Sequence, residues 1–137
     1  MSGVRFLLDT DAAADHLRGV HPVTERVQRL TPECAISCVT LAELTYGVVR
    51  ADHVERNRLQ TREFVSSVLV LPLDSEVADH FARIKADLRA RGLLVADFDL
   101  VIASTALAHG LTLVTSNLDH YDRIPDLTRE NWRAAQA

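Results

Sequence analysis

Apolar positions fall in short blocks along this chain, and the blocks alternate between two periods. Val4 to Leu8 is a nearly continuous apolar run, interrupted by Arg5 and closed by Asp9. A run so short fits a strand covered on both faces, as in a parallel sheet. Cys34 to Val39 repeats the pattern, Val68 to Leu71 does so up to Pro72, and Thr112 to Thr115 supplies a fourth block. The tail through Trp132 adds a last short strand.

Helical spacing fills the gaps. Asp11 to Val20 and Thr24 to Leu30 read as short helices, Thr40 opens another, and Asn57 to Ser66 mixes apolar and charged residues at helical spacing. Past Pro72, Asp74 or Ser75 can cap a long helix whose apolar face is Val77, Ala78, Phe81, Ile84, Ala86 and Leu88, with Gly92 at its end. A second long helix runs from Asp97 to His109, stopped by Gly110. Strand, helices, strand, helices, strand is the order of a three-layer α/β/α sandwich around a mainly parallel sheet. With 137 residues, one such domain spanning 1–137 is expected, because two halves would each be too small to bury a core.

Composition sharpens this picture in three places. Hydrophobic residues make up 47% of the chain and glycine and proline are sparse, which excludes a disordered tail or linker. No apolar run reaches bilayer length and the N-terminal residues lack a secretory pattern, so a cytoplasmic protein without a membrane span is expected. The formal charge of −4 argues against a passive nucleic-acid binder held by a broad basic surface. Divalent cations in an acidic pocket would reverse that local field. Cys34 and Cys38 lie in an apolar stretch with no matching cluster elsewhere, and read as core thiols rather than a zinc site.

Ligands of an open parallel sheet bind beyond the carboxyl ends of its strands. On that edge the chain places Asp9 after the first strand, Glu43 in the first turn of the helix after the second, Asp99 in the first turn of the last long helix, and Asn117 and Asp119 past the fourth strand. Carboxylates brought so close repel one another and either take up a proton or recruit a cation. Mg2+ or Mn2+ prefers oxygen ligands and can both bind a phosphate oxygen and acidify water. The chemistry this supports is hydrolysis of a phosphodiester by water, without a covalent enzyme intermediate.

Plainer roles compete for the same residues. Glu43 follows Thr40 by three positions, the spacing of a capping box. Either Asp97 or Asp99 can cap its helix, and the cap is assigned to Asp97; Asp11 can cap the first helix or serve as an outer polar neighbour. Asp9 is the hardest to explain structurally, since an acid ending an apolar strand has no evident partner. The histidines show no metal-ligand spacing, and His120, alone near the proposed edge, is given no role. Arg50, Arg56, Arg58 and Arg62 read as a solvated helix face, or as contacts to RNA or a partner chain. Leu41, Leu44, Tyr46 and Val48 fit a core or a dimer interface equally.

The stretches FLLDTD (Phe6 to Asp11), ISCVTLAELTYG (Ile36 to Gly47), ADFDLVIASTALAHGLTLVTSN (Ala96 to Asn117) and RIPDLTRENW (Arg123 to Trp132), in this order and spacing, resemble the PIN-domain nucleases and, within them, the VapC-like toxins of bacterial toxin–antitoxin pairs. The resemblance implies that Asp9, Glu43 and Asp99 hold Mg2+, with Thr10 beside them. It further implies an RNA substrate, an antitoxin that occupies the site, and a homodimer. Asp119 is expected as a fourth catalytic acid, with Asp11, Thr115 and Asn117 as polar neighbours. Many relatives carry an acid where Asn117 stands, and this departure puts a second metal in doubt. Two other functions use a similar pocket: a haloacid-dehalogenase-like phosphatase with Asp9 as nucleophile, and a receiver-like signalling module. Both want a lysine near the phosphate, and Lys85, the only lysine, lies mid-helix.

Overall fold

The structure is a computed structural model that describes residues 3–50 and 54–134. Strand β1 (Phe6–Leu8) lies at the centre of a five-stranded sheet, with β2 (Cys34–Ser37) and then β3 (Leu69–Leu71) on one side and β4 (Thr112–Val114) and β5 (Arg129–Glu130) on the other. Every pairing is parallel. All five expected strands are present, and each apolar run serves two cores because successive side chains point to opposite faces.

Phe6 and Leu8 pack with residues of α1 (Thr10–Leu17), α2 (Val23–Leu30), α3 (Cys38–Val49) and α4 (Val54–Ser67), among them Ala13, Val27, Leu44 and Phe64. Leu7 points the other way, into a core built with α5 (Ser75–Ala90) and α6 (Asp97–His109) through Leu88, Leu100 and Ile102. These are the three layers expected. In α6 the whole stretch from Leu100 to Ala106 is buried, as suits a helix that is apolar all round. Its two hydroxyl residues satisfy themselves, Ser104 donating to the Leu100 carbonyl at 2.6 Å and Thr105 to that of Val101 at 2.7 Å.

Several boundaries differ from the sequence expectation. The second strand stops at Ser37, not Val39, and Ser37 caps α3 with its hydroxyl accepting from Val39 N–H. Thr40 therefore does not open the helix but lies buried inside its first turn, and Glu43 falls one turn later, outside any capping box. Asp9 rather than Asp11 caps α1, and α6 has Ala96 at its cap with no side-chain bond, so Asp97 is the first helical residue. Asp74, of the two candidates, caps α5. Gly92 and Gly110 follow their helices with φ of +71° and +65°, the left-handed conformation that ends a helix at low cost for glycine. Cys34 is a buried thiol packed in the α1–α4 core, while Cys38 is only partly buried. Among the described residues no helix is long and apolar enough to cross a membrane.

Candidate functional site

The sheet order makes its own crevice. The chain leaves β1 for β2 on one side and later returns to β4 on the other, so the connections part at the carboxyl ends of β1 and β4, the switch point where open α/β sheets bind ligands. Asp9 directly follows β1 and Thr115 directly follows β4, and the two loops are tied by Asp9 N–H donating to the Val114 carbonyl at 3.0 Å. Asp9 Oδ1 accepts from Ala12 N–H at 2.7 Å, and the Thr115 hydroxyl, which accepts from Asn117 N–H at 3.0 Å, stands by its carboxylate and helps to lower its pKa. Asp9 thus has the polar partners the sequence did not reveal.

Those partners do not balance its charge. Asp9 is 4% exposed, and burial pushes its carboxyl from 3.8 up to about 6. The Thr115 and Ala12 hydrogen bonds pull the other way, and the charges of Asp11 and Asp99 add to the upward push.

Glu43 enters from α3, half-buried. Thr10, next to Asp9 at the start of α1, donates its hydroxyl to Glu43 Oε1 at 2.6 Å and lies 3.1 Å from the Thr40 hydroxyl. The buried Thr40 thus supports the residue that orients Glu43. Asp99, in the first turn of α6, is bonded through Oδ2 to His120 Nε2 at 3.0 Å. Buried Tyr121 is beside it: burial first, and the nearby charges of Asp99, Asp9 and Asp11 after it, hold the Tyr121 phenol well above its usual range.

The short 3-10 turn Leu118–Tyr121 follows β4, and it delivers His120, to which sequence reasoning gave no role. The signal available was position: a polar residue just past a strand end, on the edge already singled out. Asn117 precedes the turn and Asp119 lies within it; both are exposed, and neither makes a side-chain hydrogen bond to Asp9, Glu43 or Asp99 among the described residues. Asp11 is exposed too and acts on the site through its charge.

Among the described residues no Lys or Arg pairs with Asp9, Glu43 or Asp99. The single lysine, Lys85, bonds Asp97 Oδ1 at 2.9 Å, which leaves the phosphatase and receiver chemistries without their lysine. No three acid, histidine or cysteine side chains among the described residues stand together tightly enough to ligate one ion. A cavity of about 320 Å³ opens from Thr10 and Glu43 between α1, α3 and α4, with Arg18, Arg50, Asn57 and Gln60 at its polar walls.

The PIN domain family model matches residues 6–127. The chain belongs to the PIN-domain family. This PIN domain is 35% identical over 130 residues to the tRNA(fMet)-specific endonuclease VapC of Salmonella typhimurium, covering 94% of this chain and 98% of that protein. It is 32% identical over 130 residues to ribonuclease VapC2 of Haemophilus influenzae, with the same coverage of 94% and 98%. In solved structures it is similar to DNA-bound VapBC from Salmonella typhimurium, with a TM-score of 0.89 at 35% identity over 94% of this chain and 98% of the other. VapBC2 of Rickettsia felis, bound to a promoter DNA fragment, gives 0.86 at 30% identity, covering 94% and 99%. The fold expected of a PIN domain is therefore the one observed.

Proposed function

We propose that this PIN domain is a Mg2+- or Mn2+-dependent endoribonuclease, active in the cytoplasm as the toxin of a toxin–antitoxin pair, with Asp9, Glu43 and Asp99 as its acidic centre. One observation carries the reading. A buried carboxyl stands at the sheet's switch point, raised to about 6 by desolvation and by neighbouring acids, and among the described residues no Lys or Arg pairs with it.

Such a site suits a hard cation, because the side chains of Asp9, Glu43 and Asp99 offer carboxylate oxygens. Mg2+ keeps several waters and is commonly held by one or two carboxylates rather than by a closed protein cage, so the lack of a tight trio accords with it. Asp9, Glu43 and Asp99 would hold the ion. When bound, it supplies Lewis acidity toward phosphate oxygens and water. The chain's own residues do the rest: Thr115 orients Asp9, Thr10 orients Glu43, and the cavity beyond them accepts RNA next to the cleaved bond. Arg18 and Arg50 at that cavity would meet phosphates, which offsets the chain's overall negative charge locally.

The likeness to VapBC complexes supports a cognate antitoxin as partner, and a second copy of this chain is the other expected partner. Asp119 is the fourth acid of this reading, and Asp119→Asn is expected to cost more RNA cleavage than Asn117→Ala. The reverse order would move the fourth ligand to Asn117.

The deciding experiment is cleavage of labelled RNA with Mn2+, with and without chelator, by the wild type and by Asp99→Asn. Chelator should abolish cleavage, and Asp99→Asn should lower it at least about 100-fold, the scale of losing a group that stabilises transition-state charge, with an unchanged melting profile. Undiminished cleavage in excess chelator would exclude the metal mechanism.

A further inference from the structure

We infer that His120 is a positioning residue for Asp99: its imidazole engages Oδ2 of that carboxylate, leaving Oδ1 as the oxygen Asp99 can turn toward a divalent cation. This rests on the function proposed above and adds to it a residue from the turn after β4.

The contact spans 3.0 Å between His120 Nε2 and Asp99 Oδ2. An imidazole Nε2–H can donate to a carboxylate oxygen, and an ionised carboxylate can only accept, so the inferred role uses the tautomer with the proton on Nε2. The side chain of Asp99 is 37% exposed, and a carboxylate so open would otherwise sample several rotamers. Fixing one of them in advance removes that ordering cost from ligand binding.

The donor is itself held in place. Its ring meets the edge of Tyr121 at 5.1 Å between centroids and 79° between planes, and Tyr121 is buried. His120 N–H reaches back to the Asn117 carbonyl at 3.2 Å, while Ile124 N–H closes onto the Tyr121 carbonyl at 3.1 Å. Arg129 clamps the turn from β5, donating to the Leu118 carbonyl at 3.3 Å and to Asp122 Oδ1 at 2.6 Å. A histidine fixed this firmly and bonded to an acid of the centre matches the general pattern in which outer hydrogen-bond partners orient metal-binding carboxylates.

Two substitutions separate positioning from packing. His120→Phe keeps a ring against Tyr121 and removes the N–H; His120→Gln restores an N–H donor on a flexible side chain. The readouts are Mn2+ affinity of the RNA-free protein by calorimetry, and kcat and KM for RNA cleavage. His120→Phe should weaken Mn2+ binding about tenfold or more, with kcat falling at limiting metal and KM for RNA within about twofold. His120→Gln should recover most of the affinity. Wild-type Mn2+ affinity in folded His120→Phe, or no recovery in folded His120→Gln, would overturn the inference alone. A wild type that neither binds Mn2+ nor cleaves RNA would sink the function proposed above and this role with it.

Discussion

Asp9→Asn is expected to abolish RNA cleavage while making the metal-free protein more stable at neutral pH. The two effects have one source. Folding places the Asp9 carboxyl where it titrates at about 6 instead of 3.8, so between these values the folded state holds a proton that the unfolded chain has released. Stability therefore falls as pH rises through this window; the penalty is absent below 3.8, complete above 6, and amounts to about 3 kcal/mol. Asparagine keeps an oxygen for Ala12 N–H and carries no charge to desolvate. In chelator at pH 7, urea denaturation should find the variant about 1–3 kcal/mol more stable, a gap that closes near pH 4.

Asp15 behaves in the opposite sense. Hydrogen bonding to Arg133, with the Arg133 and Arg18 charges behind it, outweighs burial and lowers its carboxyl. Its contribution is present above the ordinary carboxylate range and is lost as pH falls through the folded value. Because both proteins carry Asp15, that loss cancels in the comparison. Saturating Mg2+ should stabilise the wild type and not the variant, since a ligand that binds only the folded form shifts its stability by mass action. Equal stability of the two proteins at pH 7 in chelator would show that Asp9 carries no uncompensated charge.

This trade also explains how much of the site was legible in the chain. An acid closing a buried strand is anomalous in sequence as well as in structure, so Asp9 announced itself. The five strands and both long helices were readable because their lengths and periods differ sharply. The start of α3 was not, because Ala35 to Leu44 is apolar or hydroxyl-bearing almost throughout, and Ser37 and Thr40 are both plausible caps. What ends β2 at Ser37 is its register against Leu71 of β3, a tertiary fact. The shift removes Glu43 from any capping role and leaves its bond to Thr10, 33 positions away, as its observed side-chain tie. His120 was noticed near the edge but given no role for a related reason: its partner is 21 residues distant, and local sequence alone does not pair it with Asp99.

The largest stability loss is expected from Trp132→Ala. Trp132 is 2% exposed, its ring and that of Phe6 meet edge to face with centroids 5.0 Å apart, and the Arg26 guanidinium lies 5.8 Å from its ring centroid. Its indole N–H donates to Glu130 Oε1 at 3.0 Å. Removing such a side chain costs about 3–5 kcal/mol, a large share of the roughly 5–15 kcal/mol that holds a domain folded. The next residue makes the damage spread. Arg133 reaches across 118 positions to grip both oxygens of Asp15, at 2.6 and 2.8 Å, and Asp15 is 1% exposed. Without the tryptophan to seat it, the tail loosens this grip and leaves a buried carboxylate with Arg18 alone. The disturbance also runs toward the acids, because Thr115 N–H bonds the Glu130 carbonyl at 3.0 Å and the neighbouring Val114 carbonyl accepts from Asp9 N–H at 3.0 Å. Trp132→Ala should therefore lower cleavage as well as the urea midpoint, and Trp132→Phe, which keeps an aromatic edge against Phe6, should regain more than half of the lost stability. A loss below about 1 kcal/mol, the level of an ordinary surface change, would mean that the tail is not anchored through this ring.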